Sequence, residues 1–269
     1  TTAGVATTNP TYPDAWTACF GDYDLDGDLD LYVGGFVLSD SSNEGKRLFR
    51  NNNNGTFSDM TQQIGLFSGV GPIANLSSRF IDMDGDHYPE LLLVGDFQGV
   101  NGHVGSRYFK NNTNGTFTDM TRASDTGDEE NGMGHCVGDF DNDGLMDWYV
   151  TSIFFPTIGW TGNKLYRNLG SHDFVEGSES AGCNDGGYGW GAVAVDFDHD
   201  GFLDIAETNG DGSSSGSFSD EQSYLFMSDG RSGSFTENAL DSGVNHTGPG
   251  RSLLNLDYDN DGDQDLLII

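Results

Sequence analysis

An all-β fold built from a repeated antiparallel unit is what the sequence predicts, on three observations. A nine-residue acidic pattern returns at near-constant spacing. A second pattern, centred on an Asn/Gly turn, recurs in the intervals. Short apolar runs with strand character flank both, while helical periodicity is nearly absent apart from one turn's worth at 62–66.

The acidic pattern is D-x-D-x-D-G-x-x-D. It begins as Asp22, Asp24, Asp26, Gly27 and Asp30, with Asp28 at the seventh position. It returns as Asp139, Asp141, Asp143, Gly144 and Asp147, and again as Asp196, Asp198, Asp200, Gly201 and Asp204. The last copy is Asp257, Asp259, Asp261, Gly262 and Asp265, with Asp263 at the seventh position. A variant lies between the first two: Asp82, Asp84, Asp86 and Glu90 keep the spacing, but Gly85 stands at position four and His87 in the usual glycine place. The first acids stand at 22, 82, 139, 196 and 257, in steps of 60, 57, 57 and 61 residues.

The second pattern reads Leu48-Phe49-Arg50-Asn51 with Gly55-Thr56-Phe57, then Tyr108-Phe109-Lys110-Asn111 with Gly115-Thr116-Phe117. Weaker copies are Leu165-Tyr166-Arg167-Asn168 with Phe174, and Leu225-Phe226-Met227-Ser228 with Phe235. Aromatic and apolar residues around an Asn/Gly turn predict a hairpin. Apolar runs also lead into the acidic pattern, as at 192–195, and follow it at 31–33, 91–94, 148–150, 205–206 and 266–269. Each unit is therefore strand, acidic loop, strand and hairpin.

Four-stranded units repeated radially are the blades of a β-propeller. The expected single domain, or part of one, has blades at 16–75, 76–132, 133–189 and 190–250, and a partial blade at 251–269. Glycines at 132, 134, 189, 191 and 250 suit innermost strands crowded near an axis. The apolar run that ends at Ile269 would leave an unpaired edge. We expect the native chain to continue there; residues 1–15 or a neighbouring molecule are the alternatives for closure.

The chain has 269 residues, 43 of them acidic against 11 basic, for a net charge of −32. That balance excludes nucleic acid as a partner, because phosphate binding needs basic patches. No apolar run approaches the roughly 20 residues of a membrane-spanning helix, so no membrane insertion is expected. About half the acids fall inside the five loops, which a generally acidic surface does not explain. Cys19, Cys136 and Cys183 are too few and odd in number for a disulfide framework and read as small buried hydrophobes. The start at Thr1 reads as a mature or trimmed chain.

Acidic side chains at positions one, three and five converge when the chain curls around one point, and glycine at six permits the curl. The residue at position seven (Asp28, Tyr88, Leu145, Phe202 or Asp263) would offer its carbonyl, and the acid at nine would close the shell. An all-oxygen cage of this kind suits Ca²⁺, about five in all. Mg²⁺ is the lesser candidate, and Zn²⁺ is unexpected because no Cys or neutral His is placed as a ligand. The EF-hand is excluded, since its last acid stands at position twelve between helices. Four carboxylates packed this closely repel one another unless a cation is present, so chelation should destabilise the fold.

These residues resemble the FG-GAP / VCBS repeat family, whose propellers include the integrin α-subunit head. The stretches LFRNNNNGTFSDMTQQIGL at 48–66 and WGAVAVDFDHDGFLDIAETNG at 190–210 look closest to VCBS proteins of the ASPIC/UnbV type. The resemblance implies a propeller, Ca²⁺ in every loop, secretion to an extracellular or cell-surface location, and a role in adhesion or assembly. Nothing beyond the loops matches integrin ligand-binding residues. The glycine exchange at Gly85 and His87 is a departure from the family pattern.

Sequons at Asn54, Asn75, Asn111, Asn114 and Asn245 raise glycosylation. The six histidines form no metalloprotease motif and read as surface or core residues. There is no nucleophile elbow, P-loop or dinucleotide fingerprint. Trp148 is expected in the core; Trp160 is a candidate for stacking on a sugar or for packing. The expected function is a non-catalytic, calcium-stabilised extracellular module for binding, adhesion or assembly. Its partner would be an extracellular protein, a glycan or further copies of the chain. The alternatives are a glycan-binding lectin domain and a polysaccharide lyase propeller.

Overall fold

A computed structural model describes residues 3–5, 15–36, 45–212 and 218–269. The chain divides into two compact units. One is Thr1–Asn131 with Gly170–Asp173, and the other is Gly132–Leu169 with Phe174–Ile269.

The first unit holds two antiparallel sheets, each with its strands in sequence order. The first sheet is β1 (Ala15–Gly21), β2 (Asp30–Gly35), β3 (Arg47–Asn51) and β4 (Phe57–Asp59). The second is β5 (Ala74–Ile81), β6 (Glu90–Asp96), β7 (Arg107–Asn111) and β8 (Phe117–Asp119). Their facing side chains, among them Tyr32, Leu48, Leu91, Leu93 and Phe109, form one buried cluster. Thr17 on β1 and Ser78 on β5 share a hydrogen bond of 2.9 Å between their hydroxyls. The backbone N–H of Phe57 donates to the carbonyl of Ala3. Most of 1–15, raised above as a closing strand, lies outside the described residues.

In the second unit, β9 (His135–Gly138) and β10 (Asp147–Val150) pair with each other. A small hairpin follows, β11 (Phe154–Phe155) with β12 (Trp160–Thr161). The sheet then completes with β13 (Lys164–Asn168) and β14 (Phe174–Glu176). Helix α1 (Ser178–Ala181) leads into the next sheet, made of β15 (Gly189–Val195), β16 (Asp204–Asn209), β17 (Tyr224–Ser228) and β18 (Phe235–Glu237). Helix α2 (Ala239–Ser242) precedes the pair β19 (Leu253–Leu256) and β20 (Asp265–Ile268). Tyr149, Leu165, Ile205 and Phe226 lie in one buried cluster, and Ala206, Leu225 and Leu253 in the next.

Backbone that comes close between sheets explains the glycines. A Cβ on Gly134 would collide with the Trp190 carbonyl, and one on Gly191 would stand 2.9 Å from the Leu253 nitrogen. Sheets packed this closely have no room for a methyl group.

The segment 62–66 is turn, and short helical structure appears in addition at 178–181 and 239–242. Four residues are too few for an apolar periodicity to register in a sequence, and these turns are fixed by burial of Ser178, Ala181 and Ala239. Trp160, the candidate for stacking or packing, pairs with Phe155 and is half-buried. Trp148 is fully buried, as expected. All three cysteines are free; Cys136 and Cys183 are buried and Cys19 half-buried. No helix among the described residues is long and apolar enough to cross a membrane.

Candidate metal centres

Every acidic loop joins the first two strands of its sheet, and its closing acid is the first residue of the second strand: Asp30, Glu90, Asp147, Asp204 and Asp265. The curl needs left-handed backbone at position four as well as position six. Leu25 and Gly27 have φ of 56° and 94°, and Asn142 and Gly144 have 56° and 95°. In the variant loop Gly85 and His87 have 79° and 76°. The exchanged glycine therefore keeps the same backbone path, with the strain-free residue moved to the other left-handed position.

The acids are held by amides of their own loop. Asp22 accepts from the N–H groups of Asp26 (3.1 Å) and Gly27 (3.0 Å). Asp139, Asp196 and Asp257 repeat both bonds, and Asp82 takes Gly85 (2.8 Å) and His87 (2.9 Å). The fifth-position acid accepts the N–H of position seven in all five loops, which fixes Asp28, Tyr88, Leu145, Phe202 and Asp263. The Asp263 carboxylate itself meets His199 Nε2 at 3.1 Å.

This arrangement gathers oxygens. Asp22, Asp24 and Asp30 each offer a carboxylate oxygen within 4.8 Å of the others. So do Asp82, Asp84 and Asp86; Asp139, Asp141 and Asp143; and Asp196, Asp198 and Asp204. Asp259, Asp261 and Asp265 sit in a loop with the same amide bonds. Asp24 Oδ1 is buried and has no hydrogen-bond partner. Asp141 meets one cation, Arg167, at 3.1 Å, while Asp200 receives the N–H of Phe202 at 2.8 Å.

In the first four loops the closing acid is the most buried of the set, while Asp265 is exposed. Asp30 and Glu90 have no exposed surface. Burial pushes Asp30 up to about 6, Asp147 up to about 7 and Glu90 up to about 8, against the pull of the amides that donate to them. Asp204 is raised for the same reason. An orphaned carboxylate oxygen and oxygens gathered within the width of one coordination shell fit a hard divalent cation.

In the second loop the donor set differs. His172, a residue of the first unit, brings Nε2 to 2.9 Å from Asp84 Oδ2. His172, Asp84 and Glu90 offer ligand atoms within 4.8 Å of one another. The expectation that no histidine is placed as a ligand therefore does not hold at this loop. No spacing in the sequence pairs His172 with 82–90.

A second buried acid was also unforeseen. Glu207 on β16 is fully buried, accepts from Tyr149 Oη (2.9 Å) and Asn163 Nδ2 (3.0 Å), and leaves Oε1 without a partner. Its signal was available: the third residue after the closing acid is Val33, Leu93, Val150 or Ile268 in the other repeats. Of the sequons, Asn75 and Asn111 are buried and cannot carry a glycan in the folded chain, whereas Asn54 and Asn114 are exposed.

Residues 36–93 and 82–150 match the family model of the FG-GAP-like repeat. Residues 36–150 thus carry FG-GAP-like repeats. Each matched FG-GAP-like segment ends in the strand that follows an acidic loop; the first holds one hairpin and the loop after it, and the second holds a hairpin between two loops. No curated protein matches the chain. Among solved structures it is similar to rhamnogalacturonan lyase YesW at 12% identity and a TM-score of 0.41, covering 95% of this chain and 55% of that one. A Bacillus licheniformis rhamnogalacturonan lyase, PL11, gives 14% identity and a TM-score of 0.43, with the same coverage. The exotype rhamnogalacturonan lyase YesX gives 14% and 0.42, covering 95% and 53%. The chain spans about half the length of these structures, and likeness at this level carries no activity across.

Proposed function

We propose that the acidic loops hold Ca²⁺, about one each, and that the sheets are blades of a calcium-stapled β-propeller. The reading rests on one observation above all: carboxylates are grouped within 4.8 Å of one another in loop after loop, with a buried closing acid among them in the first, second and fourth loops. Ionised acids at such separations destabilise a fold unless a cation offsets their repulsion. Ca²⁺ bound there ties together the strands that each loop joins, so binding energy becomes folding energy.

On this reading the protein is a non-catalytic extracellular module for binding, adhesion or assembly, since millimolar Ca²⁺ outside cells would keep such loops filled. Its partner is an extracellular protein, a glycan or another copy of the chain. Calorimetric titration of the chelated chain with Ca²⁺, followed by melting with and without excess EGTA, tests the core of the proposal. About five sites and a large rise in Tm are expected; no binding and an unchanged Tm would overturn it. Unsaturated uronate absorbance on acidic polysaccharides would overturn the non-catalytic part.

A further inference from the structure

We propose that the second loop is a mixed imidazole–carboxylate centre for a divalent transition-metal ion, with His172 as its nitrogen ligand beside Asp84 and Glu90. The proposal rests on reading the loops as cation sites, and departs from it in the identity of this one ion.

His172 is 95% buried at its side chain, and its Nε2 makes no hydrogen bond although Asp84 Oδ2 is only 2.9 Å away. An imidazole–carboxylate hydrogen bond at that distance requires the N–H to point at the oxygen. Here the two atoms are close without forming that bond, so a buried ring nitrogen stands among carboxylates with no hydrogen-bond partner. Neighbouring ligands of one small divalent ion lie about 3 Å apart, given metal–ligand distances near 2.1 Å. The Glu90 carboxylate belongs to the same cluster.

The other ring nitrogen is already committed. His172 Nδ1 stands 2.6 Å from the hydroxyl of Tyr108, which has no exposed surface. A buried partner on the far nitrogen is how proteins orient a metal-binding imidazole and set its tautomer. With the Nδ1 proton donated to the Tyr108 oxygen, Nε2 presents a lone pair.

The backbone is arranged for this contact. Ser171 and His172 have φ of 56° and 64°, two successive non-glycine residues in the left-handed region. In the equivalent turns of the first two repeats the position of His172 is a glycine, Gly55 or Gly115, and the residue before it is not left-handed. A bulky side chain tolerates that conformation only where something compensates for it. The loop is itself the one that departs from the others, with Glu90 in place of a closing Asp and Pro89 before it. Its other histidine, His87, is 88% exposed at the side chain and 3.9 Å from Asp82, and takes no part.

Ca²⁺ takes oxygen ligands, whereas Zn²⁺ and its first-row neighbours favour imidazole. One nitrogen among carboxylates therefore tips this loop toward the transition metal. The metal-stripped full chain is equilibrated with excess Ca²⁺ and a slight excess of Zn²⁺, desalted, and assayed for both elements. About one equivalent of Zn²⁺ should be retained by the wild type and lost in His172→Gln, with Ca²⁺ at the other loops unchanged. Pulsed EPR of the wild type loaded with Mn²⁺ should show coupling to an imidazole nitrogen, a readout that needs no variant. Loss of all Zn²⁺ from the wild type under Ca²⁺, equal retention in His172→Gln, or no nitrogen coupling would each overturn the proposal. If Ca²⁺ fills every loop and no Zn²⁺ stays, this inference fails alone. If Zn²⁺ stays and no Ca²⁺ binds, the calcium reading fails and this one stands.

Discussion

Asp30 Oδ1 accepts the backbone N–H of Asn51 at 2.8 Å, while its Oδ2 accepts that of Tyr23 at 3.2 Å. The closing acid of the loop thus reaches the end of the third strand, and the Asn51 amide returns a bond to the Leu29 carbonyl at 3.1 Å. The same exchange joins Glu90 to Met83 and Asn111, Asp147 to Phe140 and Asn168, and Asp204 to Phe197 and Ser228. The acidic loop and the Asn-bearing hairpin are one hydrogen-bonded unit, which is why both recur at one period.

Replacing Asp147 with Ala strips that unit of its centre. The N–H groups of Phe140 and Asn168 lose their acceptor, and buried unpaired donors cost about 1–3 kcal/mol each. Chemical denaturation in saturating Ca²⁺ should show a loss of about 2–4 kcal/mol. Calorimetry should show one fewer Ca²⁺ site.

The asparagines should not be equivalent. Asn111 is fully buried and its amide donates to the carbonyls of both Tyr23 (2.8 Å) and Pro89 (3.1 Å). Asn51 is half-buried and its Nδ2 donates to the one carbonyl of Leu29. Asn111→Ala should cost about 2–3 kcal/mol and Asn51→Ala about 1 kcal/mol. Comparable losses in urea denaturation would contradict the pairing described here.

Glu207 makes stability depend on pH. Burial raises its carboxyl to about 8, aided by the nearby acids Glu221 and Asp185 and opposed by bonds from Tyr149 and Asn163. Tyr149, itself fully buried and raised by burial, stays protonated beside it. From the ordinary glutamate value of 4.5 up to about 8, the folded chain keeps a proton that the unfolded chain has released. Stability therefore falls as pH rises through that window, by at most about 1.4 kcal/mol per unit, and levels above it. Glu207→Gln keeps an acceptor for both donors and removes this proton, so the difference in Tm between the two proteins should grow from pH 5 to pH 8. A constant difference would show that Glu207 is ionised throughout.

Gly134→Ala tests the close approach of β9 to β15. The new methyl group meets the Trp190 carbonyl, which is backbone and cannot swing aside. A loss of about 1–3 kcal/mol is expected, as for other forced insertions into packed interiors. Gly144, whose Cβ would meet nothing within 4 Å but whose φ is 95°, should lose stability through backbone strain instead, seen as a fall in Ca²⁺ affinity at the third loop.

Much of this was legible in the chain itself. Short apolar runs, Asn/Gly turns and the 1-3-5-9 acids are local patterns, and local patterns set where strands run and where the backbone must turn left-handed. They marked the strand after each acidic loop and the hairpins between loops, but not the small β11–β12 hairpin. The exchange of Gly85 and His87 looked like a defect only because position four carries no signature when Leu25 or Asn142 fills it.

The rest was decided by packing. Which amide a closing carboxylate meets depends on how the third strand lies against the second, and Asn51, Asn111 and Asn168 show that partner only once the sheet is formed. His172 is distant in sequence from 82–90 and shares no spacing with it, so its contact with Asp84 exists through tertiary structure alone. Glu207 broke a visible rule, an acid where other repeats carry Val, Leu or Ile. Its meaning came from the burial that holds Tyr149 and Asn163 around it, because a sequence records which groups a chain has, and only close packing decides which of them lose water together.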